Sequence, residues 1–466
     1  MDETSMTAMS DLNQVATWVA AVAKTDHAAP TVFDRVSTDT RSLQAGDLFV
    51  ALKGERFDAH DFLNQLQPGQ VAAVMVEHLP DGFNLPSVVV PDTRFALQKL
   101  AFGWRSQFNL PLALVTGSNG KTTVKEMLAS ILNAAFGEDY LATRGNLNND
   151  IGLPMTLLNL RANHKGAVIE LGMNHPGETE QLAPIAMPTV AIINNAQREH
   201  QEFMHTVQAV AEEHADVLDA LPKNGTAVFP ADDAHAMVWR ARAASLGLTV
   251  NDFSLNEATG AAFTARYELG LHASTIQIVG PMGQCTMQLN IPGEHNVHNA
   301  LAACAAACAM NISLDLIATG LANFVPAKGR LQTHRLNNGV TLIDDTYNAN
   351  PDSVRAAIDV LASSAGRKIL VLGDMGEVGT QGVAYHQEIG AYAASKGIAL
   401  FVGAGELMRN GVQSFGNGAQ HTDDVTSIAA TVRAHVTEGA HTILIKGSRF
   451  MGMERVVADL LNADHA

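Results

Sequence analysis

Cysteine is scarce in this 466-residue chain: Cys285, Cys304 and Cys308 are its only three, with no C-x-x-C pair among them. A disulfide framework or a structural zinc site needs more thiols at closer spacing, so both are excluded, and buried free thiols in a reducing cytoplasm are expected. Positive charge is also short. The 30 Lys and Arg face 47 Asp and Glu, a formal net charge of −17. That balance excludes binding along a nucleic-acid backbone, which needs a basic face, but not a nucleotide substrate, which needs only a few local donors. No apolar run approaches the roughly 18 residues that cross a bilayer; the nearest candidate, Ala300 to Met310, is short and Ala-dominated. The opening Met1-Asp2-Glu3 lacks the basic-then-apolar order of a secretory signal, so a soluble chain without membrane insertion is expected. The G-x-G-x-x-G fingerprint is missing as well, since Gly403-Ala-Gly405 lacks the third glycine, and no nicotinamide cofactor is implied.

What is present is a balanced globular composition, 47 % hydrophobic and 17 % charged. The length suits about three domains, and the reading is α/β throughout. Residues 1–92 hold short β-like stretches, Asp47 to Leu52 and Val71 to Val76, and read as a small α/β domain. Residues 93–327 begin with a helix carrying Phe95, Leu97, Leu100 and Trp104, followed by the apolar strand Leu112 to Val115. After a Gly-rich turn, Val124, Met127, Leu128, Ile131, Leu132 and Ala135 recur at helical spacing. Further strands are expected at Ala167 to Ile169 and Val190 to Ile193, giving a mostly parallel sheet with helices on both faces. Residues 328–466 repeat the pattern, with strands at Thr341 to Ile343, Ile369 to Leu372, Ala399 to Val402 and Thr442 to Ile445 and a last helix from Met453 to Asn462. That is a second, Rossmann-like doubly wound unit.

The turn Thr116-Gly117-Ser118-Asn119-Gly120-Lys121-Thr122-Thr123 lies between the buried strand and the amphipathic helix. A phosphate loop requires that context, because helix-start N–H groups, the positive dipole end and a Lys together surround a polyphosphate. Lys121 would reach the β- and γ-phosphates and Thr122 would offer its hydroxyl to Mg²⁺. The turn is shorter than G-x-x-x-x-G-K-[ST], since Val115 stands where the first glycine would be. Glu170 ends the next apolar strand, where a carboxylate can reach the nucleotide's Mg²⁺. His200 follows the strand after that, in the polar run Asn194 to Glu202. A carboxylate at a strand end is by itself commonly a solvated terminus; the phosphate loop in the same sheet reverses that reading.

These motifs resemble the Mur ligases and the related folylpolyglutamate synthetases over essentially the whole chain. Thr116 to Thr123 is similar to their shortened phosphate loop. Ser37-Thr38-Asp39-Thr40-Arg41, with Gly46 to Val50 after it, resembles a uridine-nucleotide-binding start. Gly145 to Pro154, which includes Asn146, Asn148 and Asn149, and Glu170 to His175 resemble motifs around the precursor's peptide and the Mg²⁺. Gly293 to Ala300 resembles the segment near adenine, and Lys328-Gly329-Arg330 the interdomain arginine motif. Asp344 to Pro351, Leu372 to Glu377 with His386, and Lys446 to Arg449 are similar to the members that add D-alanyl-D-alanine.

The resemblance implies three domains: a UDP-precursor-binding domain, a central ATP-binding domain and a Rossmann-like ligase domain. It implies ATP and Mg²⁺, and ligation of D-alanyl-D-alanine to a UDP-N-acetylmuramoyl tripeptide through an acyl phosphate. Lys121, Glu170, His200 and Lys446 would be catalytic, with Thr122, Glu170 and His200 on the metal. Residues 117–123, Asn296, Asn299, Arg330, Asp345, Tyr347 and Asn348 would hold the nucleotide. Ser37, Thr40, Arg41, Asn146, Asn148, Asn149, Asp374, Glu377 and Arg449 would face substrate. A cytoplasmic monomer is expected, with no nucleic-acid partner. The alternatives are a folylpolyglutamate-type ligase, which the third-domain motifs disfavour, and a nucleotide-controlled switch, which would hydrolyse ATP slowly without other substrates. Many Mur ligases carry a lysine about 14 residues beyond the metal-binding histidine, and its carbamate helps hold a second Mg²⁺. That position here is His214. Imidazole is a poor ligand for so hard a cation, so Asp216 or water is expected to supply the oxygen.

Overall fold

The computed structural model describes residues 8–24, 29–436 and 441–464, so the opening Met1-Asp2-Glu3 lies outside it. Among the described residues no helix is long and apolar enough to cross a membrane. The first sheet has five strands in the order Val22–Lys24, Ser87–Val89, Ala73–Val76, Asp47–Val50 and Arg35–Ser37. All neighbours pair parallel except Val22–Lys24, which runs antiparallel along Ser87–Val89.

The central sheet is parallel throughout, in the order Thr249–Val250, Thr226–Val228, Val190–Ile193, Leu112–Thr116, Gly166–Glu170 and Tyr140–Ala142. Leu112 to Val115 are fully buried, as expected for a central strand covered on both faces. The following helix, Lys121–Phe136, buries Val124, Met127, Leu128, Ile131 and Leu132. The entry helix forms at Thr93–Arg105 and buries Leu97, Leu100 and Trp104, but Phe95 is 52 % exposed. It stands on the helix's outer side, where the Lys99 ammonium lies 4.7 Å from its ring centroid.

A four-stranded sheet, Phe253–Ser254, Phe263–Glu268, Ser274–Gly280 and Gly283–Leu289, adds to the expected parallel layout; its last three strands are antiparallel. The Ala-rich helix Glu294–Ala309 packs beneath it in the same apolar core. The run of small side chains lets helix and sheet approach closely.

The third sheet runs Gln332–Arg335, Thr341–Asp345, His441–Lys446, Arg367–Gly373, Leu400–Ala404 and Ala419–Thr422, parallel after an antiparallel first pair. The last helix spans Glu454–Asp464. Two consequences position the site. The carboxyl ends of the three middle strands of the central sheet carry the phosphate loop, Glu170 and the Asn194 run. In the third sheet, parallel register sets Asp345 directly opposite Lys446.

Candidate active site

The phosphate loop depends on two glycines. Gly120 has φ +82°, and a Cβ there would lie 2.5 Å from both Asn194 Nδ2 and Asn299 Oδ1; Gly117 has φ +130° and would meet the Asn194 amide nitrogen at 2.9 Å. Side chains are therefore excluded by conformation and by space. Gly120 caps the helix Lys121–Phe136 without any side-chain cap, which leaves the helix-start N–H groups free for an anion. Lys121 Nζ folds back over the loop, donating to Gly117 O at 2.5 Å, Ser118 O at 3.2 Å and Glu199 Oε2 at 3.3 Å. Asn119 ties the loop outward: its amide N–H donates to Asn195 Oδ1 at 2.8 Å and its Oδ1 accepts from Asn350 Nδ2 at 2.9 Å.

Beside the loop, Thr122 Oγ1 donates to Glu170 Oε1 at 3.0 Å and accepts from Arg330 Nη2 at 2.8 Å. Asn148 Nδ2 donates to the same Glu170 oxygen at 2.8 Å, whereas Glu170 Oε2 is buried without a partner. A buried carboxylate oxygen with no donor, next to a hydroxyl and a phosphate loop, suits an oxygen-seeking cation such as Mg²⁺. His200 lines the same cleft, but its Nδ1 lies 2.5 Å from Glu377 Oε2. That contact is the main cause holding the Glu377 carboxyl below its ordinary range. His200 has φ +46°, strain of the kind that collects at functional sites. Among the described residues no three His, Cys, Asp or Glu side chains form a ready metal site.

The third sheet closes over this edge. Lys446, 4 % exposed, donates to Asp345 Oδ2 at 2.6 Å and to Asn348 O at 2.8 Å. The Arg330 guanidinium lies 4.1 Å from the Tyr347 ring centroid. Two cavities share this wall. One, of about 610 Å³, is lined by Lys121, Thr122, Asn148, Asn149, Glu170, His200, Arg330, Asp345, Tyr347, Asn348, Glu377, Lys446 and Arg449. The other, about 350 Å³, is lined by Asn119, Gly120, Thr123, Asn296, Asn299, Arg330, Asp345 and Lys446, with His295 and His298 beside them. In it Asn299 Nδ2 donates to Asn296 Oδ1 at 3.0 Å, and Asn299 Oδ1 accepts from Asn194 Nδ2 at 2.8 Å.

Several expected residues stand elsewhere. Asp374 is buried with its carboxylate turned inward, accepting from the Leu407 and Met408 amides at 3.2 and 2.7 Å. It secures the start of the helix Met408–Phe415, which follows the neighbouring strand, and lines neither cavity. Asn146 accepts the Asn148 amide through its carbonyl and shapes the loop. Ser37, Thr40 and Arg41 lie in the first domain, where the uridine end of the precursor was expected, and Arg41 pairs with Asp39 at 2.7 Å in open solvent. Asp216, the expected oxygen source near His214, points instead to Arg242 at 3.1 Å and shares it with Asp219. The helix turns it away from the cleft. His214 is fully buried and reaches Glu199.

Glu199 and Arg198 escaped the sequence reading, although both lie in the run that nominated His200. Arg198 binds Asp352 at 2.6 Å and Glu388 at 2.7 Å, so it fastens the central sheet to two helices of the third domain. The available signal was the density of polar side chains directly after a fully apolar strand.

The family described as Mur ligase middle domain matches residues 115–307, and the Mur ligase glutamate ligase domain matches residues 329–449. The UDP-N-acetylmuramoyl-tripeptide–D-alanyl-D-alanine ligase of Escherichia coli K12 is 39 % identical over 93 % of this chain and 94 % of its own length. This chain belongs to the Mur ligase family. The Bacillus subtilis ligase of the same name is 33 % identical, covering 93 % of this chain and 94 % of the relative. A crystal structure of MurF from Acinetobacter baumannii superposes with a TM-score of 0.90 at 35 % identity, covering 97 % of this chain and 98 % of that one. The fold is that of the Mur ligases, α/β with parallel sheets in its central and C-terminal parts.

Proposed function

We propose that the chain joins D-alanyl-D-alanine to a UDP-N-acetylmuramoyl tripeptide with ATP, forming ADP and phosphate in peptidoglycan synthesis. One observation carries this reading: the phosphate loop with Glu170 and the Lys446–Asp345 pair, from two different sheets, line one cleft. The name of the relatives aligned over nine-tenths of the chain supports the choice of substrates. We assign residues 1–92 to the UDP-precursor, 93–327 to ATP and 328–466 to the ligase domain.

In this scheme the tripeptide carboxylate attacks the γ-phosphorus, forming an acyl phosphate and releasing ADP. The dipeptide amine then attacks the acyl carbon, and phosphate leaves from the tetrahedral intermediate. Both reactants of the first step are anionic. Lys121 and the helix-start N–H groups offset that repulsion. Thr122 and Glu170 would hold Mg²⁺, which neutralises the developing phosphate charge when bound; His200 borders that place. Asn296 and Asn299 frame the smaller cavity for adenine. Lys446, fixed by Asp345 and Asn348, presents a cation where the acyl phosphate meets the dipeptide, and Arg449 and Glu377 stand at the outer rim. Water must be excluded from the acyl phosphate, and closure of two domains around it serves that end. Aligning the reactants contributes about 7–11 kcal/mol to such a step. One chain forms the cleft, so a monomer suffices, and the three free cysteines suit a reducing cytoplasm.

The test is phosphate release with single omissions. Turnover requires ATP, UDP-precursor and D-alanyl-D-alanine together. Robust hydrolysis of ATP alone refutes the ligase reading.

A further inference from the structure

Glu199 is a carboxylate held from behind. It is 6 % exposed, and its Oε1 lies 3.1 Å from His214 Nε2. An ionised carboxylate only accepts, so Nε2 carries the proton. The other ring nitrogen, Nδ1, lies 3.0 Å from Thr116 Oγ1 at the end of the central strand. Strand, hydroxyl and imidazole thus fix the carboxylate's orientation. Its second oxygen, Oε2, lies 3.3 Å from Lys121 Nζ and 3.7 Å from His200 Nε2, on the cleft wall that also carries Glu170. Burial alone would raise the Glu199 carboxyl, but Lys121, His214 and His200 together hold it down at about 2.

Lys121 neutralises Glu199 now, yet the same ammonium is the loop's cation for a polyphosphate. Once Lys121 turns to phosphate, Glu199 Oε2 is a buried anionic oxygen without its cation, a costly state. In the lining of the same cleft, Glu170 Oε2 is already buried and unpartnered. Two aimed carboxylate oxygens and incoming phosphates call for divalent positive charge.

We propose that Glu199, oriented by His214 and Thr116, is a divalent-cation ligand of the nucleotide site, its cation-facing oxygen occupied by Lys121 until nucleotide arrives. This rests on the nucleotide reading above. It assigns to Glu199 the anionic oxygen that His214 cannot supply, with His214 as a positioning residue.

The test titrates Mn²⁺ into the full chain saturated with ADP, read by the loss of free-Mn²⁺ electron paramagnetic resonance signal, with ADP affinity measured separately in EDTA. Glu199→Gln weakens Mn²⁺ binding by more than about tenfold. His214→Ala weakens it by about tenfold, the usual loss when a ligand's supporting partner goes, and His214→Gln, whose amide nitrogen stands where Nε2 stood, recovers part of it. ADP affinity in EDTA does not fall in Glu199→Gln, because Lys121 is released, and Asp216→Asn changes neither quantity. Mn²⁺ affinity within twofold of wild type in Glu199→Gln overturns the proposal. So does a parallel loss of ADP affinity in EDTA, which marks a merely structural role. Dependence of Mn²⁺ affinity on added bicarbonate overturns it too, because a carbamate is then the ligand. A wild-type chain that binds ADP in no condition refutes the nucleotide reading and this proposal with it. If Glu199→Gln does not fold, anomalous diffraction from wild type with Mn²⁺ and ADP decides: an ion about 2.1 Å from a Glu199 oxygen supports the assignment, and one held only by Glu170 and Thr122 overturns it.

Discussion

Replacing Arg198 with alanine should loosen the third domain from the central one. The guanidinium spans the boundary, with Nη2 and Nε on Asp352 at 2.6 and 3.1 Å and Nη1 on Glu388 at 2.7 Å. Arg198 is 22 % exposed, and its partners are 24 % and 34 % exposed. Fully exposed pairs contribute about 0–1 kcal/mol and breaking a buried one costs about 3–5. A partly screened pair falls between, near 1–1.5 kcal/mol, so two give about 2–3 kcal/mol. At 1.4 kcal/mol per tenfold, that is about a 30- to 140-fold weaker interdomain contact. Asn119–Asn350 and Arg330–Thr122 also cross the boundary, so the domains swing rather than separate. Small-angle scattering of Arg198→Ala without ligands should show a larger radius of gyration, and the KM for ATP should rise more than kcat falls. The double-mutant cycle with Asp352→Asn should give a coupling above about 1 kcal/mol. An unchanged radius together with coupling near zero would refute the clamp.

Three further outcomes are expected. Lys121→Ala should lower turnover by about 10²- to 10³-fold, the usual loss for one transition-state donor; activity within about threefold of wild type would remove Lys121 from the site. Gly120→Ala should abolish ADP binding measured by calorimetry while leaving the first domain's binding of a UDP-precursor intact, because the added Cβ strikes Asn194 and Asn299. Burial lowers both His295 and His298 from 6.5 to about 4. Between those values the unfolded chain binds more protons than the folded one, so their stabilisation is complete above pH 6.5 and is lost as pH falls toward 4. The loss is at most about 3 kcal/mol each, reduced by water in the cavity both rings line. Urea midpoints of wild type and His298→Gln across that window check the sign; identical slopes would refute it.

The strand, turn and helix around Lys121 were legible in the sequence because their determinants are local. Strand, glycine turn, Lys121-Thr122 and an apolar helix face follow one another along the chain, and each acts within a few residues. Glu170 and the third-domain strands were legible for the same reason, since parallel strands buried on both faces read as apolar runs. The sheet Phe253–Leu289 was not, because its strands alternate buried and exposed residues, as in Ser274–Gly280, and so leave no continuous apolar run. Tertiary structure alone decided what the charged residues do. Asp374 and Glu377 stand three positions apart in one loop, yet the first is spent on helix amides and the second on His200. Sequence spacing placed Asp216 near His214, but the helix turn sends the two side chains to different partners and brings His214 to Glu199, fifteen residues earlier. Propensity and burial pattern are properties of a segment. The pairing of a charge depends on which other segment the fold delivers to it.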